Sequence, residues 1–93
     1  EQAEMGGDCL NRGCVPSKAL LRAARLRADV RRAREFGLAA EAGPVDLAAV
    51  LGRVRGAVAR VAPHDSVERY TALGVECVAG TARIVSPWAV AVG

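Results

Sequence analysis

Two cysteines stand five positions apart in GGDCLNRGCVPSK, residues 6–18, with glycines ahead of them and a proline and a lysine behind. Thiols this close suit two-electron dithiol–disulfide exchange, in which one sulfur meets the substrate and the other holds charge for an electron donor. On a regular helix such residues lie roughly 140° apart around the axis and about 7.5 Å apart along it. Their Cα atoms would then be roughly 8–9 Å apart, beyond the ~7 Å limit for a disulfide. Cys9 and Cys14 can bridge only where the chain before Pro16 leaves ideal helix geometry, and Gly6, Gly7 and Gly13 supply that freedom. Pro16 fits the first turn of a helix, where its missing N–H costs nothing. Cys14 then falls at the mouth of that helix, where free N–H groups and the dipole favour a thiolate, and Lys18 adds positive charge one turn on. Cys9 is expected in the more open loop, so the two thiols are unequal.

Other chemistries compete for the same residues. A zinc site needs four ligands, usually with C-x2-C spacing, and only His64 and Cys77 remain to complete one. A purely structural pair, or a phosphate-cradling glycine loop at Gly6 and Gly7, also fits, and the cradle is compatible with redox work. His64 reads as a capping or surface residue in a Pro-His-Asp helix start, and Cys77, in β pattern, as core packing.

The elements that position these residues are legible from periodicity. Residues 16–35 read as a helix, with Leu20, Ala23, Leu26, Val30 and Ala33 at three- and four-residue steps and Gly37 after them. Residues 35–44 read as a loop. A second helix is expected from about Asp46, as N-cap, to Ala62, with Pro63 as its stop and a seam of Leu47, Leu51, Val54, Val58 and Val61. Asp65 or Ser66 caps a short helix through Leu73, closed by Gly74. Val75–Val78 and Ala82–Val85 are predicted strands, and Ser86-Pro87 turns into a third at Trp88–Val92.

Composition bounds the function classes. Ninety-three residues make at most one small domain, and 52% hydrophobic with 25% charged residues is a globular balance. No apolar run nears the ~20 residues of a membrane span, and EQAEMGG has acid where a signal peptide is basic. Three cysteines are too few for a secreted disulfide scaffold, so the expected compartment is the reducing cytoplasm. The net charge of +3 comes from arginines of one alanine-rich helix, and three aromatics are too few for a base-stacking surface, so no nucleic-acid partner is expected. The start without Met and the close on WAVAVG suggest a piece of a longer protein.

MGGDCLNRGCVPSKALL resembles the redox-active signature of the flavin-dependent pyridine nucleotide-disulfide oxidoreductases, and PHDSVERYTALGVECVAGTARIVSPW resembles their mercuric reductase-like branch. Asp8 stands where many relatives have threonine, and Arg12 replaces a residue that is small or apolar elsewhere. The resemblance implies an α/β fold, as part of a Rossmann-like FAD-binding domain. It further implies FAD and NAD(P)H as cofactors, a homodimer for the complete protein, and a small-molecule, disulfide or metal-ion acceptor, with dihydrolipoyl dehydrogenase activity as the alternative. Cys9 would be the interchange thiol, Cys14 the charge-transfer thiolate, and Lys18 a neighbour of the flavin ring. Glu1 would accept from the adenosine ribose, the glycines Gly6 and Gly7 with Asp8 would let backbone approach the cofactor, and the Ala82 backbone would meet the adenine. The upstream G-x-G-x-x-G turn, the nicotinamide domain and the dimerisation domain are not in these residues. A flavin-free dithiol carrier and a helical interaction module are the readings outside this class.

Overall fold

Gly6 and Gly7 both take positive φ, 94° and 62°, and the Gly7 N–H closes a turn onto the Glu4 carbonyl at 3.0 Å. That turn starts helix α1 (Gly7–Asn11) in a computed structural model that describes all 93 residues. Cys9 is therefore helical, which corrects the expected open loop, although its side chain is exposed as expected. Only glycine tolerates two consecutive left-handed residues cheaply, so the tight turn delivers the chain into α1 instead of leaving it loose. Leu10 on α1 is the most buried residue of the chain, at 3% exposure.

Helix α2 (Cys14–Arg31) begins two residues before Pro16, which sits in its first turn, and runs through leucine, alanine and arginine, all good helix formers. It tightens into a 3-10 turn, Ala33–Phe36, that ends at Gly37 with φ 76°. Helix α3 (Leu47–Val61) is capped as expected: the Asp46 carboxylate accepts from the Ala49 N–H at 3.0 Å. α3 begins beside the Leu20–Arg27 stretch of α2 and runs back along it to reach α1. A 3-10 turn, Ala62–Asp65, leads to α4 (Val67–Ala72), where Ser66 rather than Asp65 provides the cap, accepting from the Arg69 N–H at 3.2 Å.

The β region is an antiparallel hairpin of β1 (Ala82–Ser86) and β2 (Ala89–Val92), turning at Pro87-Trp88, with Ala82 opposite Val92 and Ile84 opposite Val90. Val75–Val78, expected as a strand, joins no sheet. An extended segment becomes a strand only where a neighbour supplies a ladder, and the one partner here is Glu1. Its N–H group donates to the Val78 carbonyl at 3.2 Å, and the Gly80 N–H donates to the Glu1 carbonyl at 3.0 Å. That alternation is one rung of a parallel ladder.

The chain buries little. Leu10, Ala33 and Val54 are its three buried residues, while Trp88 is 94% exposed. Its radius of gyration, 20.0 Å, exceeds the ~12 Å of a compact chain this long, because the hairpin does not pack on the helices. What results is a helix-rich α/β arrangement with a small two-stranded sheet. With so little core, single caps weigh heavily. Asp46→Ala is expected to cost about 1 kcal/mol and to lower the urea midpoint of helix loss by circular dichroism; an unchanged midpoint would show that the cap is redundant.

Candidate functional site

Asn11 secures α1 to the turn before it, its side-chain amide donating to the carbonyls of Met5 at 3.2 Å and Gly7 at 2.9 Å. Arg12 then leaves helix geometry, and Gly13 brings the chain back against α1. Gly13, at φ −115° and ψ −118°, lies outside helix geometry, as closing the bridge was expected to require. Its role is close approach, since a Cβ there would lie 2.8 Å from the Asp8 carbonyl oxygen and 3.2 Å from the Cys9 Cα. This tight return places the Cα atoms of Cys9 and Cys14 4.9 Å apart, and the two are joined as a disulfide. Cys9 is exposed, whereas Cys14 is half-buried as the first residue of α2. Lys18 lies one turn further along α2 and is exposed. Cys77, the third cysteine, is free, and no three His, Cys, Asp or Glu side chains group as metal ligands.

A second arrangement involves the start of α1 and the start of β1. Glu1, Gly7, Asp8 and Ala82 line one open cleft of about 460 Å3, together with Gln2, Ala3, Arg12, Gly80 and Thr81. The Glu1 rung with Val78 and Gly80 carries the start of the chain to the start of β1, and the Thr81 hydroxyl donates to the Gln2 side chain at 3.0 Å. Glu1 Oε1 accepts the N–H groups of Gln2 at 2.9 Å and Ala3 at 3.0 Å. The Ala3 bond above all holds the Glu1 carboxyl below its ordinary pKa; desolvation opposes it, and the Gln2 bond and the terminal ammonium add to the lowering.

The chain is similar to dihydrolipoyl dehydrogenases. It is 48% identical over 63 residues to that of Rhizobium etli, covering 66% of this chain and 13% of the relative. It is 47% identical over 53 residues to that of Chlamydia muridarum, covering 57% of this chain and 11% of the relative. Dihydrolipoyl dehydrogenase 3 of Haloarcula marismortui extends the match to 83 residues at 39% identity, 88% of this chain and 17% of the relative. The chain thus spans less than a fifth of these relatives' length. No family model matches it. The names of these relatives favour the dihydrolipoyl alternative over the mercuric reductase-like branch that the sequence put first.

The lining of the cleft is uneven in what it offers a ligand. Glu1 Oε2 makes no hydrogen bond, so one carboxylate oxygen remains open to a donor. Gly7 leaves that wall bare, since a Cβ there would stand 3.7 Å from the same oxygen. Gly6 does not line the cleft; it turns the chain under Leu10, whose side chain a Cβ would strike. Cys9, Cys14 and Lys18 also stand outside it. Sequence reasoning missed Arg12, Gln2 and Thr81 as lining residues. Arg12 alone carried a signal, through its departure from the family pattern.

Proposed function

We propose that this chain carries the redox disulfide and part of the cofactor site of an FAD-dependent dihydrolipoyl dehydrogenase, within a Rossmann-like FAD-binding domain. The observation that carries this reading is the Cys9–Cys14 bridge at the start of α2, in a chain whose Glu1, Gly7, Asp8 and Ala82 line one cleft. The similarity to dihydrolipoyl dehydrogenases supports the choice of substrate.

Exposure decides the order of sulfur chemistry. A substrate thiolate attacks the exposed Cys9 sulfur, the S–S bond breaks, and its electron pair leaves on Cys14. Cys14 is the better leaving group because α2 begins at it, and the partial positive charge of an 18-residue helix favours its thiolate. The second substrate thiol then attacks the mixed disulfide, the Cys9–substrate bond breaks, and Cys9 is released as the second reduced sulfur. The substrate leaves as a cyclic disulfide, two electrons poorer and with two protons lost, and the Cys9–Cys14 pair holds those electrons. Lys18, one turn from Cys14, adds cationic charge that favours the thiolate. FAD, when bound, supplies the two-electron acceptor that reoxidises the pair and passes hydride to a nicotinamide nucleotide. Glu1 would hold its ribose hydroxyls, Gly7 and Asp8 its near wall, and the Ala82 backbone its adenine.

In the complete protein, a dihydrolipoyl amide with NAD+ is expected to yield NADH and one substrate disulfide per NADH, with FAD absorbance in the purified material. NADPH consumption driven by mercuric ion, without oxidation of the dihydrolipoyl amide, would overturn the substrate assignment. A protein purified and assayed without flavin would overturn the cofactor assignment.

A further inference from the structure

Arg12 is the only cationic side chain lining the cleft and the small hollow that adjoins it, whereas Glu1, Glu4 and Asp8 bring three carboxylates. Its backbone is held firmly, donating to the Asp8 carbonyl at 2.9 Å and lying between the two bridged cysteines. Its side chain is not. The side chain is 68% exposed, and its one ion pair is to Glu4 at 3.8 Å, longer than a hydrogen bond. Such an exposed pair holds an arginine weakly, so its fork of donors remains available.

Carboxylates accept hydroxyl groups well and repel anions. A ligand that presents ribose hydroxyls to Glu1 and also carries phosphate meets repulsion from this cleft unless a cation receives the phosphate. Arginine suits that task, because its planar fork pairs two phosphate oxygens at once. We propose that Arg12 binds a phosphate group of the ribonucleotide whose sugar Glu1 holds. This rests on the reading of the cleft as the adenosine end of the cofactor site. Arg12 takes no part in the sulfur chemistry.

The test uses ADP and adenosine as probes, titrated by calorimetry into the flavin-free complete protein. ADP is expected to bind at least about tenfold tighter than adenosine, with the preference shrinking as salt is raised. Arg12→Gln is expected to lose about tenfold in ADP affinity, the size of one charge-assisted contact, while adenosine binding stays unchanged. Arg12→Lys, which keeps the charge but not the fork, is expected to fall between the two. Equal ADP affinity in wild type and Arg12→Gln would overturn the proposal, as would a matching loss for adenosine. Wild type that binds both probes equally would overturn the phosphate role alone. Wild type that binds neither would overturn the nucleotide reading of the cleft together with it.

Discussion

Cys14→Ser is expected to reduce oxidation of a dihydrolipoyl amide by the complete enzyme on the order of a thousandfold or more, the scale on which loss of a covalent participant is felt. The bridge breaks by expelling Cys14 as a thiolate from the first turn of α2, and a serine there offers no sulfur to bond or to expel. Cys9→Ser is expected to be as inactive, for the different reason that no exposed sulfur then receives the substrate. The two variants separate in alkylation. With Cys14→Ser, iodoacetamide labels the exposed Cys9 rapidly, whereas with Cys9→Ser the half-buried Cys14 reacts more slowly. Stability provides the control. A bridge closing a loop of six residues contributes about 2 kcal/mol in the chain-entropy picture, and both serine variants lose it equally. Turnover within tenfold of wild type in Cys14→Ser would make the disulfide a structural clamp and end the relay reading.

The second large effect belongs to a residue without a side chain. Gly13→Ala puts a methyl carbon 2.8 Å from the Asp8 carbonyl oxygen and 3.2 Å from the Cys9 Cα, and both neighbours are backbone of α1. Backbone cannot swing aside as a long side chain can, so α1 and the start of α2 have to separate. Overpacking of this kind costs about 1–3 kcal/mol. The cost falls on the oxidised form, because the 4.9 Å Cα separation of the bridged cysteines is what the added methyl opposes. In a glutathione redox titration, Gly13→Ala is expected to shift the dithiol–disulfide balance toward the dithiol by about tenfold, with each 1.4 kcal/mol worth a factor of ten. Gly43→Ala is the matched control, since a Cβ there meets nothing within 4 Å. A Gly13→Ala balance equal to that of the control would show that the close approach does not govern bridge closure.

Local signals in the sequence were strong wherever one residue type answers a nearby backbone need. Asp46 caps α3, Ser66 caps α4, and Gly37 and Gly74 take positive φ, although α2 stops at Arg31, short of the expected residue 35, and a 3-10 turn completes the run to Gly37. The β-hairpin followed in the same way from Ser86-Pro87 between two apolar runs. These outcomes depend on neighbours within about five positions, which is the range over which sequence pattern is physically informative. The unequal exposure of the two cysteines was legible for the same reason, although the short helix that holds Cys9 was not.

By itself, then, the sequence determined the helices after Cys14, the hairpin, and a pair of thiols of which one opens a long helix. Tertiary structure decided what those thiols stand beside. Glu1 and Ala82 are 81 positions apart, and no periodicity relates them; the backbone rung from Glu1 to Val78 and Gly80 brings them into one cleft. That rung is the one ladder contact of the Val75–Val78 segment, which joins no sheet. Arg12 stands by Asp8 through the bond from its N–H to the Asp8 carbonyl at the end of α1, and it shares a cleft with Gly80, Thr81 and Ala82 only through the fold. Hydrogen-bond partners and steric room depend on distance in space, and sequence pattern records distance along the chain.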